Sequence, residues 1–173
     1  MTDARLPAAR PADPSCRIEA VFAELARTRM AGLPLLNAAL EVEAVDFGVW
    51  QDQWLGVLIT PWCVNLMLLP AGCGNRPELA PGDKRAVRFP AGVFEFVGGY
   101  HPRLGAYASC SLFSPVLEFA DQTAVRLTAR AARRALFEIG DVAGAELPNA
   151  GGERQGAPLT RRAFLRGAFA DER

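Results

Sequence analysis

The 173-residue sequence has no excess of either charge. Nineteen Lys plus Arg balance nineteen Asp plus Glu, so no general attraction to nucleic acid or to an anionic membrane is expected. Lysine is represented by Lys84 alone and histidine by His101 alone. There is no G-x-G-x-x-G after a strand pattern, no Walker lysine and no G-x-S-x-G. The usual sequence signs of nucleotide binding and serine hydrolysis are therefore missing. The four cysteines, Cys16, Cys63, Cys73 and Cys110, form no CxxC pair, and a structural zinc site normally needs close ligand pairs. Dispersed cysteines in a reducing compartment usually serve as small buried hydrophobes. Long apolar runs are also scarce. The longest, Trp54 to Pro70, is interrupted by Pro61 and Asn65, and it falls short of the ~20 residues of a membrane-spanning helix. Met1 to Pro14 carries no apolar run, so neither a secretory signal nor stable membrane insertion is expected, and the location reads as cytoplasmic.

Half of the residues are apolar, enough for one hydrophobic core without disulfide or metal staples. Residues 1–13, rich in Pro, Ala and Arg, read as a flexible N-terminal tail. A helix start follows at Asp13-Pro14-Ser15, with Ile18, Val21, Phe22 and Leu25 at helical spacing, ended by Gly32 and Pro34. Strand patterns occupy Val42 to Val49, Leu55 to Ile59, Val64 to Leu69, Ala86 to Phe89 and Val93 to Val97. Gln51-Asp52-Gln53 and Pro90-Ala91-Gly92 are turn signals. Gly98 to Ser111 reads as irregular. Ser114-Pro115 offers a second helix start, running to about Ile139, with Leu117, Ala120, Ala124, Leu127, Ala131 and Ala135 as its apolar stripe. The expectation is an α+β domain over 14–139: an antiparallel sheet of about five strands with at least two helices packed on one face. Residues 140–158 read as a Gly/Pro-rich linker and 159–173 as a basic C-terminal tail.

The search for chemistry yields little. His101 with Cys63, Cys73 or Cys110 leaves open a nucleophile pair, or a small metal- or redox-handling site, but the spacing supports neither. The segment from Met30 to Gly74 has four acids and no Lys or Arg, while Arg126, Arg130, Arg133 and Arg134 gather on the second helix. That stripe reads as a solvated face or as a surface for an acidic partner. Trp50, Trp54 and Trp62 sit in or beside the first strands, where core packing and interfaces both use tryptophan. The tail holds Thr160-Arg161-Arg162-Ala163-Phe164-Leu165-Arg166, which has the local pattern of a twin-arginine export motif. An export signal of that kind sits at an N-terminus before an apolar segment, so this copy is not expected to export the chain. The alternatives are an amphipathic tail, or a mimic or docking segment for another protein's signal that uses Arg161, Arg162, Phe164 and Leu165.

Three blocks carry a resemblance. They are Arg29-Met30-Ala31-Gly32-Leu33-Pro34-Leu35-Leu36-Asn37 with Leu40 to Val45, Leu55 to Pro70 around Thr60-Pro61-Trp62, and Gly99-Tyr100-His101-Pro102 through Ser111-Leu112-Phe113-Ser114-Pro115 to Gln122. Together they resemble the HybE-type assembly chaperones of [NiFe]-hydrogenases over about residues 17–139. The resemblance implies a non-enzymatic cytoplasmic maturation factor without a cofactor. Its implied partners are the hydrogenase large-subunit precursor, or the small-subunit precursor with its twin-arginine signal, or both, and premature export is held back. Cys63 and Val64 stand where the family pattern leads us to expect bulkier Phe and Met. Some relatives carry a fused rubredoxin module, and this chain lacks the paired CxxC motifs of that module. No catalytic residue carries over. Trp62 with Asn65, Tyr100 with His101, and Glu118 with Asp121 are the expected partner-binding surface, because loops beside a helix start carry polar and apolar groups together.

Overall fold

The computed structural model describes residues 12–72 and 79–138. Helix α1 spans Ser15–Thr28. Asp13 sets its entry by accepting the Ser15 N–H at 2.8 Å and the Ser15 hydroxyl at 2.6 Å. The helix ends as the Arg29 and Met30 N–H groups both reach back to the Leu25 carbonyl. Gly32 then turns the chain with φ +80, a conformation that costs glycine little. Six strands follow: β1 Glu43–Trp50, β2 Gln53–Ile59, β3 Val64–Pro70, β4 Lys84–Phe89, β5 Gly92–His101 and β6 Gly105–Phe113. Helix α2 spans Gln122–Ala135.

The strands form one antiparallel sheet in the order β1-β2-β3-β6-β5-β4. The β1–β2 hairpin turns through Gln51 and Asp52, both at positive φ, which matches the right-handed twist of the flanking strands. The sixth strand corrects the sequence reading. Gly98 to Ser111 is not irregular: β5 continues to His101, and β6 occupies the sheet centre beside β3. Two glycines obscured this. A Cβ on Gly98 would strike the Ala80 carbonyl, and one on Gly99 would strike the Tyr107 ring, so both are close approaches within strand structure.

The expected α+β class holds, but the two helices do not share a face. Side chains alternate along each strand. Leu55, Val57, Ile59, Leu66, Leu68, Cys110 and Leu112 form a cluster with Val125, Ala129 and Ala132 of α2. Leu58, Met67 and Leu69 form the opposite cluster with Ile18 and Val21 of α1. Both faces of β2 and β3 are therefore buried, which explains their nearly unbroken apolar sequence.

Helix α2 also starts later than Ser114-Pro115. That peptide bond is cis. The N-cap is Asp121, whose Oδ1 accepts the Ala124 N–H at 2.8 Å. The shift rotates the buried stripe to Val125, Ala129, Ala132 and Ala135. Leu117 and Leu127, expected inside, are 56% and 61% exposed. Three alanines at the contact let the helix approach closely. The polar stripe turns toward β1, where Arg126 Nε meets Glu43 Oε1 at 2.6 Å and Gln122 Nε2 donates to Glu43 Oε2 at 2.6 Å. Arg130 lies 3.7 Å from Asp46. The acidic segment and the arginine stripe thus partly neutralise each other within the fold.

Candidate partner-binding surface

The β2–β3 connection is closed by one buried hydroxyl. Thr60 Oγ1 donates to the Cys63 carbonyl at 2.8 Å and accepts the Cys63 N–H at 3.0 Å. Pro61 and Trp62 are left half-buried at the tip. The segment after α1 comes to this tip, with the Asn37 N–H donating to the Pro61 carbonyl at 2.7 Å. The Asn37 side chain then gathers a third segment. Its Nδ2 donates to the Val116 carbonyl at 3.0 Å and to the Phe119 carbonyl at 2.8 Å, while its Oδ1 accepts the Ala39 N–H. Val116 is buried and Phe119 packs edge-on against Phe113, so this segment is anchored on both sides of Leu117.

Asn37 therefore ties three chain segments together at one end of the sheet. They leave large apolar side chains in solvent: Leu33 at 40%, Leu35 at 37% and Leu117 at 56% exposure. Exposed leucines on three tied loops, with Glu118 and Asp121 at the rim, have the composition of a docking surface. A groove of about 630 Å³ continues from Pro61 along α1, floored by Ala20, Ala23 and Val42 and rimmed by Glu24, Glu41 and Arg103.

The expected site residues divide between two places. Trp62, Glu118 and Asp121 gather at the Asn37 end. Asn65 follows in β3, paired with Ser111 of β6, and its Oδ1 is buried without a partner among the described residues. Tyr100 and His101 lie elsewhere. His101 pairs with Gly105, at the other end of β6. Ser111 lies six residue steps along the strand from Gly105, roughly 20 Å at 3.3 Å per step. Tyr100 is 60% exposed, and His101 Nδ1 accepts the Arg103 N–H at 3.2 Å. The expected single patch is thus two. Asn37, Leu33 and Leu35 were not singled out as site residues in the sequence, although their block carries the resemblance, and Leu117 was read there as part of a buried helix stripe. Of the tryptophans, Trp50 stacks on Phe89 at 4.6 Å and Trp54 packs against the α1-side cluster.

The sulfur and imidazole groups are not assembled. Cys110 lies in the α2-side core and Cys63 at the Thr60 corner, while His101 is at the far end of β6. Burial pushes the Cys63 thiol up, against the hydrogen bonds of Thr60 and Asn65, which disfavours the reactive thiolate. Among the described residues no three His, Cys, Asp or Glu are grouped to hold a metal ion. Cys73 and the tail residues Arg161, Arg162, Phe164 and Leu165 lie outside the described residues.

Comparison with known proteins places the chain and its fold in one class. The family model described as "[NiFe]-hydrogenase assembly, chaperone, HybE" matches residues 13–167. The hydrogenase expression/formation protein HupJ of Bradyrhizobium diazoefficiens is 39% identical over 152 residues, covering 88% of this chain and 86% of that protein. A probable rubredoxin, HupJ of Rhodobacter capsulatus, is 38% identical over 117 residues, and the match spans 68% of this chain and 42% of that longer protein. The solution structure of HybE from Escherichia coli superposes with a TM-score of 0.60 at 25% identity, covering 87% of this chain and 96% of that one. The chain belongs to the HybE family of nickel-iron hydrogenase assembly chaperones. No described helix is long and apolar enough to cross a membrane.

Proposed function

We propose that this chain binds a nickel-iron hydrogenase subunit precursor in the cytoplasm, without catalysing a reaction, and holds it back from export until assembly is complete. The observation that carries this reading is the surface tied by Asn37. It presents Leu33, Leu35 and Leu117 to solvent on backbone segments fixed by hydrogen bonds. Fixed loops lower the entropic cost of docking, and scattered leucines between polar groups favour reversible capture over a permanent core. Family membership supplies the client class.

The test is capture of the large-subunit and small-subunit precursors by the purified chain. Leu117→Asp and Leu35→Asp change exposed positions, so the fold is retained, and each lowers capture by about tenfold if one desolvated leucine contact is lost. Unchanged capture in both would remove this surface from the reading. Tyr100→Ala and His101→Ala measure whether the far end of the sheet contributes. The tail segment is assigned to mimicry of, or docking of, the twin-arginine signal of another protein. Deleting residues 159–173 then weakens binding of the signal-bearing small subunit, and unaltered affinity would end that assignment.

A further inference from the structure

We propose that the β4 edge of the sheet takes an extended acidic peptide segment as a seventh strand. The sheet has two edges, β1 and β4, and they are finished differently. The β1 edge is blunted. A bulge at Asp46, with φ +49, breaks its register between Val45 and Gly48. Glu19 Oε1 of α1 occupies the Ala44 N–H at 2.9 Å, and Gln122 Oε1 of α2 occupies the Glu41 N–H just before the strand. Bulges and covering side chains are the usual means of closing an edge to further pairing.

Within Lys84–Phe89 the β4 edge has neither device among the described residues. Its register with β5 is unbroken from Lys84↔Val97 to Phe89↔Gly92. Just ahead of the strand Gly82, with φ +90, and Asp83 face Gly98 together: the Gly82 N–H donates to the Gly98 carbonyl at 2.9 Å, and the Gly98 N–H donates to the Asp83 carbonyl at 2.8 Å, so the Asp83 carbonyl points toward β5. Backbone groups alternate along an antiparallel strand, so Arg85, Val87 and Phe89 turn theirs toward β5. Lys84, Ala86 and Arg88 turn theirs outward. These three residues are exposed, and among the described residues no other hydrogen bond reaches them through the backbone.

Charge selects the occupant. Lys84 is neutralised by Glu95 at 2.9 Å. Arg85 and Arg88 have no carboxylate partner among the described residues. An added strand with acidic side chains would meet Arg85 on one face and Arg88 on the other, while its backbone bonds to Ala86 and Arg88. A second copy of this chain would set these arginines against their own kind, and like charges on facing strands are destabilising. This edge is separate from the surface tied by Asn37, so the inference stands apart from the client reading.

The test uses the full chain and two fluorescent peptides of roughly ten residues, one alternating Glu and Val, the other Lys and Val. The acidic peptide binds at least about tenfold more tightly, and added salt weakens it. The Ala86 and Arg88 amides gain hydrogen-exchange protection when it binds, a readout that needs no variant. Ala86→Pro removes an outward N–H that β5 does not use, as edge strands allow, and lowers affinity by about tenfold or more. Arg85→Ser with Arg88→Ser lowers affinity and flattens the salt dependence. Equal binding of the two peptides, or unprotected Ala86 and Arg88 amides, would overturn the proposal. So would self-association through this edge, or binding seen only after removal of residues 139–173, which would assign the edge to a second copy or to the chain's own end.

Discussion

The two faces of the sheet are filled by opposite means. Against α1 the contact is made of large side chains: Ile18 and Val21 on Leu58, Met67 and Leu69. Against α2 the helix contributes Ala129, Ala132 and Ala135, and the large residues come from the strands. One helix is held by the volume it inserts. The other is held by closeness, with a polar lashing along its rim. The two should therefore fail in different ways, the first by loss of volume and the second by its gain.

The largest effect is expected on the α1 face. Ile18 is fully buried, and Ile18→Ala should cost about 2–5 kcal/mol in urea unfolding, from lost transfer energy plus the cavity left behind. A cost under about 1 kcal/mol would mean that α1 yields to fill the gap, which is outside the usual range for such sites. On the other face the sensitive change is an enlargement. Ala129 is fully buried, and Ala129→Leu should cost about 1–3 kcal/mol by forcing α2 away from the sheet. Leu127→Ala, on the exposed side of the same helix, should stay within about 0.5 kcal/mol. If Ala129→Leu were equally harmless, the closeness of α2 would have no energetic meaning.

This difference between the faces also decides what the sequence could reveal. The α1 stripe was legible because Ile18, Val21, Phe22 and Leu25 are large and their spacing is helical. The α2 stripe was not, since alanines occur on several sides of that helix and only its true start fixes which side is buried. Ser114-Pro115 imitates a helix start, while the cap is Asp121. The strands β2 and β3 were legible from their apolar runs. Strand β6 was not, because Ser109 and Ser111 alternate with Ala108 and Cys110 and carry little hydrophobic contrast. Of the residues named from the sequence, Trp62, Glu118 and Asp121 lie at the candidate surface. Asn37 was passed over, because its role depends on carbonyls about eighty residues away that no local pattern displays.

The polar lashing of α2 should respond to pH. Burial pushes the Glu43 carboxyl up, but hydrogen bonds from Arg126 and Gln122 and the charges of Arg126 and Arg130 outweigh it, holding the group below its ordinary value near 4.5. A carboxyl lowered in the folded state adds stability above its unfolded value and loses it as the pH falls through the folded one. Glu43→Gln therefore shows its full deficit near neutral pH, and the gap to the parent chain closes in acid, below about pH 4.5. Thermal midpoints measured from pH 7 down to pH 3 follow this directly. A gap independent of pH would mean that the Glu43 oxygens matter as acceptors and not as a charge.

The smallest effect belongs to the ion pair on the other face. Arg103 Nη1 lies 2.8 Å from Glu24 Oε2 of α1, a length like that of the Glu43–Arg126 contact at 2.6 Å. Distance alone would rank the two as near equals. Exposure separates them: the Glu24 and Arg103 side chains are 56% and 52% exposed, against 25% for Glu43 and 35% for Arg126. Water and salt screen the outer pair, and ordering two long side chains offsets much of its attraction. A double-mutant cycle of Glu24→Gln and Arg103→Gln should give a coupling of about 0.2–1 kcal/mol that fades at high salt. The Glu43–Arg126 coupling should persist under the same salt, because Gln122 fixes the carboxylate and the sheet shields one side of it. Equal fading of both couplings would show that the contrast between the faces lies in their packing alone, with α2 held by its alanines and not by its charges.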